Sequence, residues 1–68
     1  MNNFEERKYL IIPYIDAEGI PLSDIEELCY SYTSIANNDL LISYYHKPHF
    51  CKSEYKEYNY QQTLDLLK

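Results

Sequence analysis

Nine tyrosines in a chain of 68 residues, with no tryptophan, are the feature that most restricts the possible fold. A phenol ring has a large apolar area and a polar tip, so it suits both a core and a contact surface. A chain of this length buries only roughly 60% of the surface that its unfolded form exposes. The core therefore cannot take all nine rings, and we expect some of them to face solvent or a partner.

The size of the chain predicts a single domain over residues 1–68. Its longest apolar run, residues 9–15, is too short to span a bilayer, and its first residues lack the pattern of a secretory signal. Two cysteines, Cys29 and Cys51, are too few for the disulfide scaffold of a small secreted domain. These features favour a cytoplasmic protein that does not contact a membrane.

The first half of the chain predicts a strand followed by a helix. Residues 8–15 are rich in β-formers, and residues 16–19 have turn composition with Gly19 at their end. Ser23 followed by Glu26 has the spacing of a capping box, which predicts a helix over residues 24–35. The apolar stripe of this helix would consist of Ile25, Leu28, Cys29, Tyr32 and Ile35.

The second half predicts two strands and another helix. Residues 40–45 alternate, which places Leu40, Ile42 and Tyr44 on one face and a wetter set around Ser43 on the other. Residues 49–55 are a weaker candidate for a third strand. A C-terminal helix would open with a second capping box, formed by Asn59 and Gln62. Its buried side would carry Tyr60, Leu64 and Leu67.

This order of elements predicts a small α+β domain with the sequence β-α-β-β-α. We expect a short sheet, mostly antiparallel or mixed, with the two helices on one face.

Charge is distributed unevenly along the chain, whose formal net charge is -5. Residues 1–39 hold eight acids and two bases, a net of -6, whereas residues 40–68 hold three acids and four bases, a net of +1. Nucleic-acid phosphates attract basic side chains, so this balance argues against direct binding of nucleic acid. It favours a protein partner with a basic surface.

No pattern of catalytic or cofactor-binding residues is present. One glycine excludes a P-loop and a dinucleotide-binding fingerprint, and no serine lies in a nucleophile elbow. His46, His49 and Cys51 are spaced closely, but a structural zinc site usually brings paired ligands at two positions. We therefore expect no enzyme activity, no cofactor and no metal, and keep a small metal-binding module at these three residues as an alternative.

An acidic surface that carries tyrosines is the remaining candidate site. On the predicted first helix, Tyr30 would share an outward face with Glu26 and Glu27. Tyrosine is enriched among the residues that dominate protein interfaces, and surrounding carboxylates steer basic partners. The predicted partner-binding residues are Asp16, Glu18, Asp24, Glu26, Glu27, Tyr30, Tyr45, Tyr55 and Tyr58.

Composition suggests an origin for such a module. Ile, Asn, Lys and Tyr, which have AT-rich codons, make up 26 residues, whereas Gly, Ala and Arg make up four. A small acidic protein from a low-GC genome fits an inhibitor encoded by a phage or mobile element. It would mimic nucleic acid on a basic groove of a host nuclease or CRISPR effector, in the host cytoplasm. A self-associating structural or adaptor subunit, with a homodimer as its simplest form, is the other alternative.

Overall fold

A four-stranded antiparallel sheet organises the chain, whose computed structural model describes residues 6–67. Residues 1–5 and 68 of the predicted domain lie outside the described part. The strands are β1 (Lys8–Ile12), β2 (Ser31–Ser34), β3 (Leu40–Tyr44) and β4 (Glu57–Tyr58). The helices are α1 (Tyr14–Ala17), α2 (Leu22–Leu28) and α3 (Tyr60–Leu66), with a 3-10 turn over Ala36–Asn38. The predicted α+β class is confirmed.

The two central strands supply most of the core. The spatial order of the strands is β2-β3-β1-β4, and β1 pairs with β3 so that Leu10 lies opposite Ile42. Side chains alternate along a strand, so Leu10, Ile12, Ile42 and Tyr44 share one face. All four are almost completely buried and form one cluster with Ile25 of α2. The predicted face of Leu40, Ile42 and Tyr44 is therefore confirmed.

The opposite face of β3 is drier than predicted. Leu41 and Ser43 are buried, although the sequence pattern indicated that this was the wetter face. The Ser43 hydroxyl lies 2.6 Å from that of Ser31 on β2, so its hydrogen bond is made within the protein. Tyr9 lies opposite Ser43 and is also buried. Only Tyr45, just beyond the strand, has the exposure that was expected.

The first long helix is shorter than predicted. It ends at Leu28, and Cys29 has extended backbone angles. Residues 31–34 then pair with β3 as strand β2, because hydrogen bonding to a neighbouring strand outweighs a helical pattern in a segment of β-formers. Tyr32 is consequently exposed instead of lying on a helical core stripe.

The predicted cap of this helix does not form either. The chain enters α2 from Pro21, and no side chain makes a capping hydrogen bond there, so the Ser23 capping box was wrong. Left-handed backbone conformation occurs at two asparagines and not at Gly19. Asn37 and Asn38 have φ values of 64° and 63°, whereas Gly19 has no positive φ. Asparagine tolerates this conformation better than most residues, which suits the tight connection from β2 to β3.

No strand spans residues 49–55. Turns occupy this segment, with the amide of Cys51 donating to the carbonyl of Pro48 and that of Tyr55 to the carbonyl of Lys52. Half-buried Cys51 and Tyr55 pack against the core, and pairing with β1 resumes only at Glu57–Tyr58. The third strand is thus later and shorter than predicted.

The second capping box is confirmed. The Gln62 amide donates to Asn59 Oδ1 (2.8 Å), and the Asn59 amide donates to Gln62 Oε1 (3.0 Å). The buried side of α3 differs from the prediction, since Thr63 is buried while Leu64 and Leu67 are exposed.

The two longer helices do not share a face of the sheet. Tyr60 of α3 packs against Tyr9, with ring centroids 6.0 Å apart, whereas Ile25 of α2 packs in the cluster of Leu10. Tyr9 and Leu10 are neighbours on β1 and point to opposite faces. The α3 helix takes the Tyr9 side because it follows β4 at once, where Tyr58 pairs with Tyr9.

Replacing Ile42 by valine should lower the free energy of unfolding by about 0.5–1.5 kcal/mol, because it removes one buried methylene. A larger truncation at this position would remove much of the net stability, which for a chain of this size is only about 3–5 kcal/mol. Urea denaturation followed by circular dichroism measures the effect. The matched control is Ile15→Val, at a side chain that is 75% exposed, and an equal loss in both variants would contradict the assigned core.

Candidate partner-binding surface

The predicted acidic and aromatic residues lie in three different settings. Because α2 ends at Leu28, Tyr30 is not on a helix, and its amide donates to the Ser43 carbonyl at 2.7 Å. The prediction that Tyr30 shares a helical face with Glu26 and Glu27 is therefore wrong. The three residues remain close in sequence, but the sheet and not the helix positions Tyr30.

The first setting is an exposed aromatic pair. The rings of Tyr30 and Tyr45 meet edge to face, with centroids 5.5 Å apart and planes at 88°. The Arg7 guanidinium lies 4.0 Å from the centroid of the Tyr30 ring, within the range of a cation–π interaction. Tyr30 is nevertheless 61% exposed, so a large part of it stays available to solvent. Sequence reasoning missed Arg7, since nothing in the spacing links residue 7 to residue 30.

The second setting is a group of polar contacts within the chain. The Tyr55 hydroxyl donates to Asp16 Oδ2 at 2.6 Å, and Lys52 Nζ lies 3.7 Å from the same oxygen. Burial, followed by the hydrogen bond to Asp16, raises the pKa of Tyr55 to about 12. Asp16 and Tyr55 therefore join α1 to the loop before β4, and their polar groups already have partners within the chain.

Two further predicted residues also have partners within the chain. Asp24 Oδ2 lies 3.9 Å from His49 Nε2, a pair that is ionic only when the imidazole is protonated. Tyr58 is half-buried on β4, where Lys56 Nζ lies 5.4 Å from its ring centroid. The side chains of Asp24 and Tyr58 are both only partly exposed.

The third setting contains unpaired charge. Glu18 follows α1, and Glu26 and Glu27 lie on the outer surface of α2, all three exposed. Within residues 6–67 none of these carboxylates forms an ion pair. They are the predicted acids that remain available to an external cation.

Exposed apolar side chains accompany these acids, and sequence reasoning did not find them. Tyr14, Ile15 and Leu22 are 51%, 75% and 56% exposed. The predicted strand over residues 8–15 placed Tyr14 and Ile15 in the sheet, whereas the chain turns into α1 directly after Pro13. Pro13 was the available signal, because proline often precedes or begins a helix.

A groove lies between α1, α2 and the end of the β2–β3 hairpin. Its volume is about 420 Å³. We call it the α1–α2 groove, and the residues lining it are Tyr14, Ala17, Glu18, Ile20, Leu22, Ile25, Ser34, Asn38 and Leu40. Asp39 Oδ1 accepts a hydrogen bond from the Tyr14 amide at 3.0 Å, which joins the start of α1 to the residue before β3. The groove thus combines an apolar lining with one carboxylate.

The histidines and cysteines do not assemble a metal centre in the described part of the chain. Residues 6–67 contain no group of three or more His, Cys, Asp and Glu side chains able to hold a metal ion. Cys29 and Cys51 are free thiols packed at the edge of the core. Burial, with Cys51 nearby, raises the pKa of Cys29 to about 11, and burial also raises the pKa of Cys51. Both thiols are therefore protonated at neutral pH, in the form that is a poor nucleophile and ligand.

Comparison of the chain with protein-family models, with curated proteins and with solved structures gives no match. Among residues 6–67, no helix has the length and apolar character needed to cross a membrane.

Stability should fall as the pH rises from about 10 to about 12, and Tyr55 should account for part of the loss. The pKa of Tyr55 is higher in the folded chain than its ordinary value, so its stabilising effect is complete below about pH 10 and disappears as the phenol ionises beside Asp16. Tyr55→Phe should be less stable than the parent at about pH 8, by about 1 kcal/mol for the lost hydrogen bond. Its stability should then fall less steeply in the alkaline range.

Urea midpoints at several alkaline pH values measure this difference. Tyr32→Phe is the matched control, because Tyr32 is exposed and its slope should equal that of the parent. An unchanged slope in Tyr55→Phe would show that the Tyr55–Asp16 bond does not contribute.

Proposed function

We propose that the protein is a small interaction module that binds a partner protein through a basic surface of that partner. The observation that carries the proposal is a set of three exposed carboxylates, Glu18, Glu26 and Glu27, that form no ion pair among residues 6–67. The exposed Tyr30–Tyr45 pair adds aromatic contact area. Carboxylates attract and orient a basic partner, and tyrosines provide rigid contact area. We propose Glu18, Glu26, Glu27, Tyr30 and Tyr45 as the main contact residues. The other predicted residues, Asp16, Asp24, Tyr55 and Tyr58, also have contacts within the chain.

The more specific form of the proposal is inhibition by mimicry of nucleic acid. A groove that binds nucleic acid presents Lys and Arg to phosphates and often aromatic or guanidinium groups to bases. Carboxylates of this protein would take the places of phosphates, and Tyr30 with Tyr45 would take the place of stacked bases. A host nuclease or CRISPR effector, met in the host cytoplasm by the product of a phage or mobile element, has the required groove. The excess of residues with AT-rich codons indicates a low-GC genome and supports this origin.

Charge reversal at Glu26→Lys with Glu27→Lys should weaken binding of the partner by roughly tenfold or more, because two attractive contacts become repulsive. The partner is first captured from a low-GC bacterial lysate, and its affinity is then measured by calorimetry at several salt concentrations. The reversed variant should also lose most of the salt dependence.

Glu54→Lys with Asp65→Lys is the matched control, since it changes the net charge equally at exposed positions outside α2. Equal weakening in both variants would show a general charge effect and not a site on α2. For mimicry, the protein must displace labelled nucleic acid from the partner, and a stable ternary complex would contradict it.

Self-association is the second candidate, and strand β2 favours it. β2 is an edge strand, its four residues carry no charge or proline, and all are exposed. The Ile35 amide donates to the Asp39 carbonyl, so the backbone groups of Ile35 face the β3 side. Because this direction alternates along an antiparallel strand, the backbone groups of Tyr32 and Ser34 point away from β3. An unprotected edge of this kind can pair with a second strand.

Tyr32→Lys should convert any dimer to a monomer, because a lysine on an edge strand opposes strand pairing. Light scattering at micromolar concentration measures the mass, and Ser53→Lys, at an exposed loop position, is the control. A monomeric parent protein would contradict this candidate function.

A further inference from the structure

We propose that the α1–α2 groove binds an apolar side chain of the partner, in a segment where that side chain is flanked by lysine or arginine. This inference rests on the proposed binding of a basic partner and names the feature that such a partner would insert. It adds an apolar anchor to a surface that the sequence described only as acidic and aromatic.

The apolar lining of the groove is supported from behind by the core. Ile25 is 4% exposed and belongs to the core cluster, and Ala17, Ile20 and Leu40 pack against that cluster. Their positions are therefore fixed before any ligand arrives. A volume of about 420 Å³ is at the small end of the range for ligand pockets, and it suits one large side chain better than a whole peptide.

The opening of the groove leaves apolar surface in water. Tyr14 and Leu22, which line it, each expose more than half of their side chains. An inserted apolar side chain would cover part of both, and removal of apolar surface from water is favourable. Interface energy commonly concentrates in such anchors, where a side chain fills a pocket whose walls already exist.

Charge determines which kind of segment fits. Glu18 lines the groove and forms no ion pair among residues 6–67, and Glu26 lies one helical turn from Leu22 on α2. The ammonium group of Lys52 is paired with Asp16 and does not form an ion pair with Glu18. Residues flanking the anchor would therefore meet carboxylates, so basic side chains are favoured and a second, equally acidic copy of this chain is not.

Polar atoms complete the fit for a peptide. Ser34 and Asn38 also line the groove, and each offers a side chain that can donate and accept hydrogen bonds. These groups can pair with backbone groups of the segment next to its anchor. The groove thus suits a peptide segment better than a purely apolar small molecule.

Three synthetic peptides test the proposal by titration into the isotopically labelled protein, followed by amide chemical shifts. The first has Leu-Phe between two pairs of lysines, the second has Leu-Phe between pairs of glutamates, and the third has Ser-Gly between pairs of lysines. We expect the first to bind most tightly, with shifts centred on Ala17, Ile20 and Ile25. The other two should bind at least about fivefold more weakly, because each lacks one of the two contributions.

Single substitutions locate the site. Leu22→Asn should weaken the first peptide about tenfold, and Glu18→Gln should weaken it about threefold and reduce its salt dependence. Both positions are exposed, so the fold should tolerate these changes. The matched controls are Leu66→Asn on α3 and Glu54→Gln in the loop before β4, which should leave binding unchanged.

The outcomes separate this inference from the proposed function. Equal binding of both lysine peptides, or shifts confined to Glu26 and Glu27, would overturn the apolar anchor while leaving an acidic binding surface in place. Binding of neither lysine peptide at low salt would overturn both. Equal binding of both Leu-Phe peptides would overturn the requirement for basic flanks and assign the groove to apolar recognition alone.

Discussion

The pairing of β1 with β3 is the interaction on which the rest of the structure depends. It places Leu10 opposite Ile42 and brings the four most buried apolar side chains of these strands into one layer. Everything else is attached to this pair: α2 covers its apolar face through Ile25, and β2 and β4 extend it by short edge strands. Because the central layer is so small, a few long side chains must tie the irregular segments to it.

Tyrosines supply several of those ties. The Tyr44 hydroxyl donates to Glu57 Oε2, so a ring in the core also fixes β4 by its polar end, and burial raises the pKa of Tyr44. Tyr55 connects the loop before β4 to α1 in the same way, through Asp16. The ring gives apolar area and the hydroxyl gives a directed bond, so one residue type serves as both core and cross-link. The high tyrosine content thus has a structural cause for part of the set.

The sequence predicted what depends on local patterns and failed where distant segments compete. The core face of Leu40, Ile42 and Tyr44 and the Asn59–Gln62 cap involve near neighbours, and both were predicted correctly. Helical spacing through Tyr32 was misleading, because pairing with β3 was the stronger determinant and it acts between segments far apart in sequence. The same limit applies to the surface: the acids were recognisable by composition, but the groove between α1 and α2 requires Leu40 and Ile20, which no spacing rule connects.

The contact of Arg7 with Tyr30 would lower the entropic cost of binding a partner at the Tyr30 ring. A side chain that is already held on one face by a guanidinium has lost part of its rotational freedom, so a partner has less disorder to remove when it docks. The same contact divides the surface chemically. One face of the Tyr30 ring already meets an internal cation, so in the proposed complex the partner's cations would bind the carboxylates of α2. The rest of the ring would meet planar or apolar groups. In that complex, a single arginine would separate the place where basic groups bind from the place where apolar groups bind.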